Sequence, residues 1–422
     1  MQTKKRKIIN DPVFGFISIP TETLYDIIQH PYMQRLTRIK QLGLSSFVYP
    51  GTQHTRFQHS LGAMYLMGEA IRQLRWMGAD IRADEEEAAL AAILMHDIGH
   101  APFSHVLENS LVSGISHEEI STLMMEEIRR EMDACLPMAI SIFKGTYPKY
   151  FLHQLISGQL DMDRLDYLRR DSFYAGVTEG SIGSAQIIRM LDLHEGRLVI
   201  QEKGVYSIEK FLLARRLMYW QVYLHKTSIA AEQLLIHILM RAKELALGGH
   251  PLFGSPSLQF FLNQPIQKED FYRSPEVLRH YAGLDDSDIV SAIKVWMSDA
   301  DTVLATLSDA FINRRLFKIN VLNRTMTDKE VDEMEHRYMD FFQISAHEAH
   351  YFWAEEKVSN ETYAPDEEGI KIKFKNGELK DITESSDMFN LDVLTKEASK
   401  LYLCYLPLNH YVGNASHKNN NP

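Results

Sequence analysis

Residues 84–105 read DEEEAALAAILMHDIGHAPFSH, and in this stretch an apolar helix pattern leads directly into a pair of metal-ligating side chains. Asp84 and Glu87 have the spacing of a helix N-cap and its capping-box partner. Apolar residues then recur at three- and four-residue spacing. The pattern predicts a helix that begins near Asp84 and ends at His96 and Asp97.

His96 and Asp97 would point about 100° apart on a regular helix, so both reach one ion only where the helix ends or bends. Gly99 and Pro102 follow at once and supply that end. Imidazole together with carboxylate suits zinc, iron, manganese or nickel better than calcium, which prefers oxygen ligands. By itself the pair is a weak signal, because a His-Asp dipeptide occurs by chance in many chains.

Three further segments carry candidate chemistry: residues 54–60 (HTRFQHS), 116–119 (SHEE) and 161–171 (DMDRLDYLRRD). In the last of these, Asp163, Tyr167 and Asp171 are four residues apart and share one helix face. Two interpretations of that segment stay open. It is either a solvated helix with surface ion pairs or an acidic face that lines a cleft, and its apolar residues favour the cleft.

The composition is that of a globular chain of 422 residues, 45% hydrophobic and 24% charged. The 45 Lys and Arg residues against 56 Asp and Glu leave a net charge of −11, so nucleic acid is an unlikely partner. No apolar run reaches the roughly 18 residues of a membrane span, and Cys135 and Cys404 are too few for a disulfide framework. These features predict a cytoplasmic protein without a membrane segment.

Helical periodicity dominates the rest of the chain, so we expect a mainly α fold with a small mixed α/β C-terminal region. Ser116 and Glu119 form a second capping box. An apolar-periodic stretch over residues 207–249 predicts a long helical segment that ends at a Gly-Gly pair. Strands are expected at residues 197–200 and in a hairpin over residues 369–379, around an Asn-Gly pair.

Taken in order, these segments resemble the HD-domain metal-dependent phosphohydrolases. Residues 40–43 (KQLG) and 54–62 (HTRFQHSLG) are similar to the deoxynucleoside triphosphate triphosphohydrolase, or dGTPase-like, branch, which includes the SAM and HD domain-containing enzyme of animals. The resemblance implies an HD-domain helical bundle core and a metal-dependent hydrolase. Its metal ligands would be His59, His96, Asp97 and Asp163, and Asp161, whose alternative role is to cap a helix, is the nearest rival of Asp163.

The domain organisation expected on this basis has four parts. They are residues 1–250, a catalytic core with an N-terminal regulatory and interface segment; residues 251–325, a helical extension that completes the core and the oligomer interface; residues 326–416, the mixed α/β region; and residues 417–422, a flexible tail.

The reaction implied by the resemblance is hydrolysis at the α-phosphate, which yields a deoxynucleoside and tripolyphosphate. His100 and His117 match the family's pair of catalytic histidines, which can donate a proton to the departing 5′-oxygen. Glu108 falls where the family commonly has Asp and implies a proton relay. His105 matches a phosphate contact, and packing against Phe103 is an equally supported alternative for it.

The substrate contacts carried over from the family are Gln41, Leu42, Arg56, His105, Arg164, Tyr167, Asp171, Arg215 and Tyr223. The arginines correspond to contacts with the triphosphate. The two tyrosines and Asp171 correspond to residues that hold the sugar and its 3′-hydroxyl, while Gln41 and Leu42 close over the deoxyribose. Leu224 stands where the animal enzyme has Gln, so contacts with the base or sugar differ there.

A regulatory nucleotide site at a subunit interface is implied in the same way, by Lys7, Ile8, Asn10, Gln34, Lys203, Arg314 and Lys318. Gln29 and Thr37 stand where the family reads guanine through Asp and Arg, so activation specifically by GTP is not implied. The expected partners are a deoxynucleoside triphosphate, an activating nucleotide, and further copies of the chain in a homo-dimer or homo-tetramer. The expected cofactors are one divalent transition metal ion per subunit and a Mg²⁺ ion with the nucleotide.

Two alternatives to this function remain. One is a different HD phosphohydrolase, a nucleotidase or phosphodiesterase, whose products would be orthophosphate or a monophosphate. The other is a nucleotide-sensing scaffold with a vestigial site. The completeness of the set of ligands and catalytic histidines argues against the scaffold, because loss of activity usually removes some member of such a set.

Overall fold

A computed structural model describes residues 7–103, 105–108, 110–112, 114–132, 135–360, 363, 369–386 and 398–411, without the side chains of residues 105 and 108. The described residues form two compact units, each built from separate stretches of chain. The first unit lies within Met1–His100, Ile115–Tyr223 and Asn360–Glu397. The second lies within Ala101–Gly114, Leu224–Ser359 and Ala398–Pro422. The tail predicted at residues 417–422 is outside the described residues.

The described residues are mainly helical, as predicted. Numbered along the chain, the helices are α1 (Glu22–Gln29), α2 (Pro31–Arg35), α3 (Arg56–Trp76), α4 (Ala83–Met95), α5 (His105–Glu108), α6 (His117–Met132), α7 (Leu136–Phe143), α8 (Phe151–Gln154), α9 (Met162–Ala175), α10 (Ser184–Arg189), α11 (Val205–Met218), α12 (Lys226–Leu247), α13 (Pro256–Leu262), α14 (Lys268–Arg273), α15 (Pro275–Ala282), α16 (Asp286–Trp296), α17 (Thr302–Ile312), α18 (Asp328–Phe342), α19 (Ala346–Ala349) and α20 (Ile382–Ser385). Helices α5 and α12 to α19 belong to the second unit, and the others belong to the first.

Short strands accompany the helices. They are β1 (Lys7–Asp11), β2 (Gly15–Ile19), β3 (Leu191–His194), β4 (Arg197–Gln201), β5 (Lys318–Leu322), β6 (Trp353–Asn360), β7 (Lys371–Lys373), β8 (Leu379–Asp381) and β9 (Ala398–Tyr405). In the first unit, β1 and β2 form an antiparallel hairpin, and a second sheet has the order β3-β4-β7-β8. The strand and hairpin predicted near residues 197 and 371 are confirmed as β4 and as β7 with β8, whose turn places Gly377 at a φ of 86°.

The core of the first unit is built around α4. Residues 88–95 of this helix are all buried, which is typical of a helix that is apolar on every side. Helix α3 packs against both α4 and α9. The C-terminal end of α4, where the chain continues into the buried His96, therefore lies inside the first unit, beside α3 and α9.

The start of α4 differs from the sequence prediction. The helix begins at Ala83, and the carboxylate of Glu85 accepts a hydrogen bond from the backbone N–H of Arg82 at 2.8 Å. The capping pair is therefore Arg82 and Glu85, and the predicted pair of Asp84 and Glu87 is wrong. Glu85 is also fully buried against Tyr147 and Lys149, at 2.7 and 2.8 Å. Distant residues thus select the cap, whereas the cap predicted for α6 is confirmed by two 3.2 Å hydrogen bonds between Ser116 and Glu119.

The long helical segment predicted over residues 207–249 is interrupted. Helix α11 passes into a π-helical turn at Tyr219–Tyr223, and α12 begins afresh at Lys226. The Nδ1 atom of His225 accepts a hydrogen bond from the N–H of Thr227 at 3.1 Å and caps the new helix. Apolar periodicity continues across this break, which is why the sequence pattern concealed it.

In the second unit, α12 packs against α13 and α17, and a three-stranded sheet has the order β5-β9-β6. Together with α18 and α19 these strands make the second unit a mixed α/β region, and the predicted mainly α fold class is confirmed. Among the described helices, none has both the length and the apolar character that crossing a bilayer requires.

Candidate metal centre

Three helices of the first unit bring metal-ligating atoms together. His59 lies in α3, His96 caps the C-terminal end of α4, and Asp163 lies in the first turn of α9. The two Nε2 atoms are 3.3 Å apart, and Asp163 Oδ1 is 3.1 Å from that of His59 and 3.5 Å from that of His96. This cluster joins three of the four ligands expected from the sequence.

The outer ring nitrogens determine which tautomers the two histidines adopt. His59 Nδ1 lies 2.7 Å from the carboxylate of Asp166, and His96 Nδ1 lies 2.6 Å from the carbonyl oxygen of Ile93. Both partners are acceptors, so each neutral ring carries its proton on Nδ1. The two Nε2 lone pairs then face each other beside a carboxylate, an arrangement that a cation between them stabilises. The donor set therefore fits a divalent transition metal ion.

The electrostatics of the cluster favour positive charge. Burial acts to lower the pKa of His59, but hydrogen bonds to Asp163 and Asp166 outweigh it and raise the pKa to about 10. Burial would raise the pKa of Asp163, but its contacts with His59 and His96 lower it below the ordinary value. The same carboxylate potential that retains a proton also attracts a metal cation.

Asp97, the fourth expected ligand, lies at the edge of the cluster. Its Oδ1 is 3.3 Å from His96 Nε2, and its Oδ2 is 3.8 Å from His59 Nε2. Its carboxylate accepts a 2.6 Å hydrogen bond from Arg56, a residue predicted to contact phosphate. Burial acts to raise the pKa of Asp97, but the positive charges of His96, His100 and Arg56 keep it well below the ordinary value. Asp97 is thus a carboxylate within reach of the cluster.

Asp161, the rival ligand, serves as the N-cap of α9. Its carboxylate accepts hydrogen bonds from the backbone N–H groups of Arg164, at 2.6 Å, and Gly158, at 2.9 Å. Both of its oxygens are engaged in this way, and Asp161 is absent from the ligand cluster formed by the described residues.

A buried charge network supports His59 from outside, and the sequence analysis missed it. Arg170 donates two hydrogen bonds of 2.9 Å to Asp166 and one of 2.7 Å to Asp11, which begins the turn of the β1–β2 hairpin. Arg170 and Asp166 are fully buried. The surface ion-pair interpretation of residues 161–171 is therefore wrong for this pair. Gly62 on α3 makes the approach feasible, since a Cβ there would overlap both Asp166 and Arg170.

The two predicted catalytic histidines lie against each other. The rings of His100 and His117 are stacked, with centroids 3.8 Å apart and an interplanar angle of 17°. His100 Nε2 is 3.2 Å from Asp97 Oδ1, while its buried Nδ1 has no hydrogen-bond partner among the described residues. Burial, followed by the charge of Arg56, lowers the pKa of His100 to about 3. The side chains of His105 and Glu108, also predicted for the site, are outside the description.

Gly99 positions the second histidine. A Cβ at Gly99 would overlap the backbone of His117 and Ser121, so only glycine allows the first turn of α6 to approach the end of α4 this closely. The N–H of Gly99 also donates to the hydroxyl of Ser121 at 2.9 Å, and that hydroxyl donates to the carbonyl oxygen of His96 at 2.8 Å. The α6 N-terminus is thus fastened to the candidate ligand segment.

A wall of aromatic and acidic side chains continues from the metal cluster. The Tyr167 ring lies between those of His59 and Tyr223, at centroid distances of 6.5 and 6.0 Å. The Tyr223 hydroxyl donates to Asp171 Oδ2 at 2.9 Å, and His54 Nε2 lies 2.8 Å from Asp171 Oδ1. Burial and the nearby Asp171 raise the pKa of Tyr223 well above the ordinary value, so the hydroxyl keeps its proton. The sequence analysis quoted His54 within residues 54–60 but assigned it no role.

The basic and loop residues predicted for the substrate lie nearby in the same unit. Arg164 follows Asp163 on α9, and Arg215 lies near the end of α11, where it donates to Gln159 at 3.3 Å. The Nε atoms of both arginines are buried and have no hydrogen-bond partner among the described residues. Gln41 donates its N–H to the carbonyl oxygen of His54 at 3.0 Å, and Leu42 precedes a 3₁₀ turn at Gly43–Phe47.

The residues predicted for a regulatory nucleotide are dispersed over both units. In the first unit, Lys7 on β1 pairs with Glu22 at 3.1 Å, and Gln34 donates to the carbonyl oxygen of Ile28 at 2.7 Å. Ile8 and Asn10 are exposed on β1, and Lys203 is exposed before α11. Arg314 and Lys318 are exposed in the second unit. The part of all seven residues in a nucleotide site stays a prediction.

Comparisons with known proteins agree with this geometry. A family model described as the HD domain matches residues 56–168, and one described as an HD associated region matches residues 182–246. A crystal structure of a phosphohydrolase from Bacteroides thetaiotaomicron superimposes with a TM-score of 0.93 at 57% identity, over 96% of this chain and all of that one. An uncharacterized protein of Bacillus subtilis is 30% identical over 90% of this chain and 88% of its own length.

These matches define an HD-domain protein. The chain belongs to the HD-domain phosphohydrolase family, in the branch similar to the deoxynucleoside triphosphate triphosphohydrolase SAMHD1. Human SAMHD1 is 27% identical to this chain over an aligned stretch that covers 56% of this chain and 45% of SAMHD1. The family membership predicted from the sequence is therefore confirmed.

Proposed function

We propose that the protein is a metal-dependent deoxynucleoside triphosphate triphosphohydrolase, which cleaves its substrate at the α-phosphate into a deoxynucleoside and tripolyphosphate. The observation that carries the proposal is the continuous wall from His59 through Tyr167 to Tyr223 and Asp171. It joins a metal-ligating cluster to hydrogen-bonding groups suited to a sugar hydroxyl, as a phosphoester attached to a deoxyribose requires.

The proposed metal ligands are His59, His96, Asp97 and Asp163. A divalent ion held by them would lower the pKa of a water molecule and polarise a phosphoryl oxygen. Asp166 fixes the orientation of His59 through its Nδ1, and the Ile93 carbonyl does the same for His96. These outer contacts keep both Nε2 atoms aimed at one point.

The triphosphate is proposed to lie against Arg56, Arg164 and Arg215. Buried guanidinium N–H groups that lack an acceptor are costly, so the Nε atoms of Arg164 and Arg215 favour an anionic ligand. These arginines also provide the local positive charge that a chain of net charge −11 needs in order to bind a polyanion.

The stacked His100 and His117 are proposed to supply the proton that the departing 5′-oxygen requires, since a positioned imidazole can act as a general acid. Glu108 is retained as the proton relay, and His105 as a phosphate contact. Asp171 and Tyr223 would hold the 3′-hydroxyl, with Tyr167, Gln41 and Leu42 against the sugar.

The test is a product assay with purified protein, Mn²⁺ and each of the four deoxynucleoside triphosphates, singly and mixed. Tripolyphosphate and deoxynucleoside are resolved by ion-exchange chromatography. The double variant His96→Ala/Asp97→Ala is expected to lose both bound metal and product. The matched control, His250→Ala/Asp299→Ala, removes another His–Asp pair, at 3.0 Å in the second unit, and should retain both.

Each outcome of this assay has a defined meaning. Tripolyphosphate from the wild type and the control alone supports the proposal. Orthophosphate or a nucleoside monophosphate, with no tripolyphosphate, would indicate the nucleotidase or phosphodiesterase alternative. A metal-loaded protein that releases no tripolyphosphate from any mixture would likewise favour the alternative HD phosphohydrolase, acting on other substrates.

We further propose that a nucleotide activates the enzyme through Lys7, Arg314 and the other regulatory candidates in a homo-dimer or homo-tetramer. Replacing Lys7 and Arg314 with Ala should change assembly or activation in mixed nucleotides while leaving the metal content unchanged. Analytical ultracentrifugation with kinetics in single and mixed nucleotides tests this, and unchanged assembly with unchanged kinetics would remove the regulatory proposal.

A further inference from the structure

We propose that His54 is the positioning residue of the sugar-binding wall: it aligns Asp171 through its side chain and the Gln41 segment through its backbone. This inference rests on the proposed function, because it assigns His54 a part in recognising the substrate's 3′-hydroxyl. His54 itself is not proposed to touch the reacting atoms.

The side chain of His54 is buried against α9. Its Nε2 lies 2.8 Å from Asp171 Oδ1, and its ring is stacked on Tyr174, with centroids 4.4 Å apart and an interplanar angle of 13°. Because a carboxylate only accepts, His54 Nε2 must be the donor in this contact. The stack holds the ring in one plane, so the donated hydrogen bond has a fixed direction.

The loop that carries His54 is fastened to the other parts of the wall. The Tyr49 hydroxyl donates to the carbonyl oxygen of Gln221 at 2.7 Å, within the π-helical turn that carries Tyr223. A Cβ at Gly51 would lie only 2.6 Å from the carbonyl oxygen of Tyr174, so the loop backbone lies directly against α9. π-helical turns occur frequently at functional sites.

The backbone of His54 holds the remaining segment. Its carbonyl oxygen accepts the N–H of Gln41 at 3.0 Å, and Lys40 and Thr55 form an antiparallel bridge beside this bond. The side-chain Oε1 of Gln41 is buried and has no hydrogen-bond partner among the described residues. One residue thus connects the loop proposed to close over the sugar with the acid proposed to bind its hydroxyl.

The consequence for binding follows from the acceptor capacity of Asp171. His54 occupies one oxygen of the carboxylate and Tyr223 the other, so each oxygen keeps a further lone pair in a fixed direction. A substrate hydroxyl that reaches the carboxylate can donate to that lone pair. With the His54 hydrogen bond removed, the carboxylate can turn and the hydroxyl loses its aligned acceptor.

The test compares wild type with His54→Phe, which keeps a flat ring but removes the donor, and with His54→Gln, whose amide restores one. The readout is the ratio of kcat/KM for a deoxynucleoside triphosphate to that for its 2′,3′-dideoxy analogue. We expect His54→Phe to lower this ratio by about 10- to 100-fold, the effect of losing a hydrogen bond to a charged group. The loss should appear mainly in KM for the deoxy substrate, and His54→Gln should recover much of it.

Two further variants keep the test decisive. Tyr49→Phe removes only the hydroxyl that fastens the loop and should lower the ratio in the same direction by less, even if His54→Phe fails to fold. His153→Phe makes the same change at a half-buried histidine of the first unit that hydrogen-bonds a backbone carbonyl, and it should leave the ratio unchanged.

The outcomes separate this inference from the proposed function. A wild type that releases tripolyphosphate, together with unchanged ratios in folded His54→Phe and in Tyr49→Phe, overturns the positioning role alone. A wild type that releases no tripolyphosphate overturns the proposed function, and the inference that rests on it is then overturned as well.

Discussion

Replacing Arg170 with Met removes the cation at the centre of the network behind His59. The guanidinium is fully buried and donates to both oxygens of Asp166, at 2.9 Å each, and to Asp11 at 2.7 Å. Met has a similar length and no charge, so the substitution leaves two buried carboxylates without their shared partner while it largely preserves the packing volume.

The magnitude follows from that change. Removing one partner of a buried ion pair costs about 3–5 kcal/mol of unfolding free energy, because an uncompensated charge remains. Asp11 keeps two hydrogen bonds of 2.9 Å from the N–H groups of Val13 and Phe14, so Asp166 bears most of this cost. Asp166 also orients His59, and without Arg170 its carboxylate is no longer held in place. We therefore expect metal affinity to fall by up to about 10- to 100-fold, the effect of losing an outer contact.

Two measurements on one preparation test the prediction. Urea denaturation gives the change in unfolding free energy, and competition with a chelator gives the affinity for Mn²⁺. Arg169→Met is the matched control. The neighbouring guanidinium is half-buried, hydrogen-bonds Ser184 and the Val13 carbonyl, and pairs with no carboxylate among the described residues, so a cost of about 1 kcal/mol is expected. An Arg170→Met protein as stable as that control, with wild-type Mn²⁺ affinity, would refute the reasoning.

Two other predictions concern separate parts of the fold. Gly99→Ala should displace the start of α6 and reduce turnover by about tenfold or more while bound metal is retained. The control Gly68→Ala, whose Cβ would meet only a side chain at 3.8 Å, should be tolerated. Equal turnover in the two variants would contradict the role of Gly99. Burial lowers the pKa of His237 to about 4, so only the unfolded chain takes up a proton as the pH falls from about 6.5 to 4, and stability should decline by up to about 3 kcal/mol across that window. Unfolding midpoints of wild type and His237→Gln over this range test the second prediction, and identical slopes would disprove it.

Local patterns in the sequence predicted the parts of the site that depend on local structure. The four-residue spacing of Asp163, Tyr167 and Asp171 places them along one side of α9, where they contact His59 and Tyr223. The end of α4 at His96 and the hairpin around Gly377 follow equally from nearby residues.

The parts that could not be predicted depend on residues far apart in the chain. Glu85 caps α4 because Lys149 and Tyr147 bury its carboxylate, and no pattern within residues 82–95 contains that information. The contact that gives His54 its place in the site is with Asp171, 117 residues later. For Asp11 and Arg170 the separation is 159 residues, so no local pattern predicts that they form an ion pair.

These long separations determine when, during synthesis, the candidate metal centre can form. His59 and its partner Asp166 are 107 residues apart, so a chain still on the ribosome cannot complete the ligand cluster until α9 has emerged. Before that point His59 and His96 lack Asp163, the carboxylate that contacts both of them, and His59 lacks Asp166. The ligand cluster therefore forms only after α9 has been made, and a truncated product that ends before α9, and so lacks Asp163 and Asp166, should bind no metal at this centre.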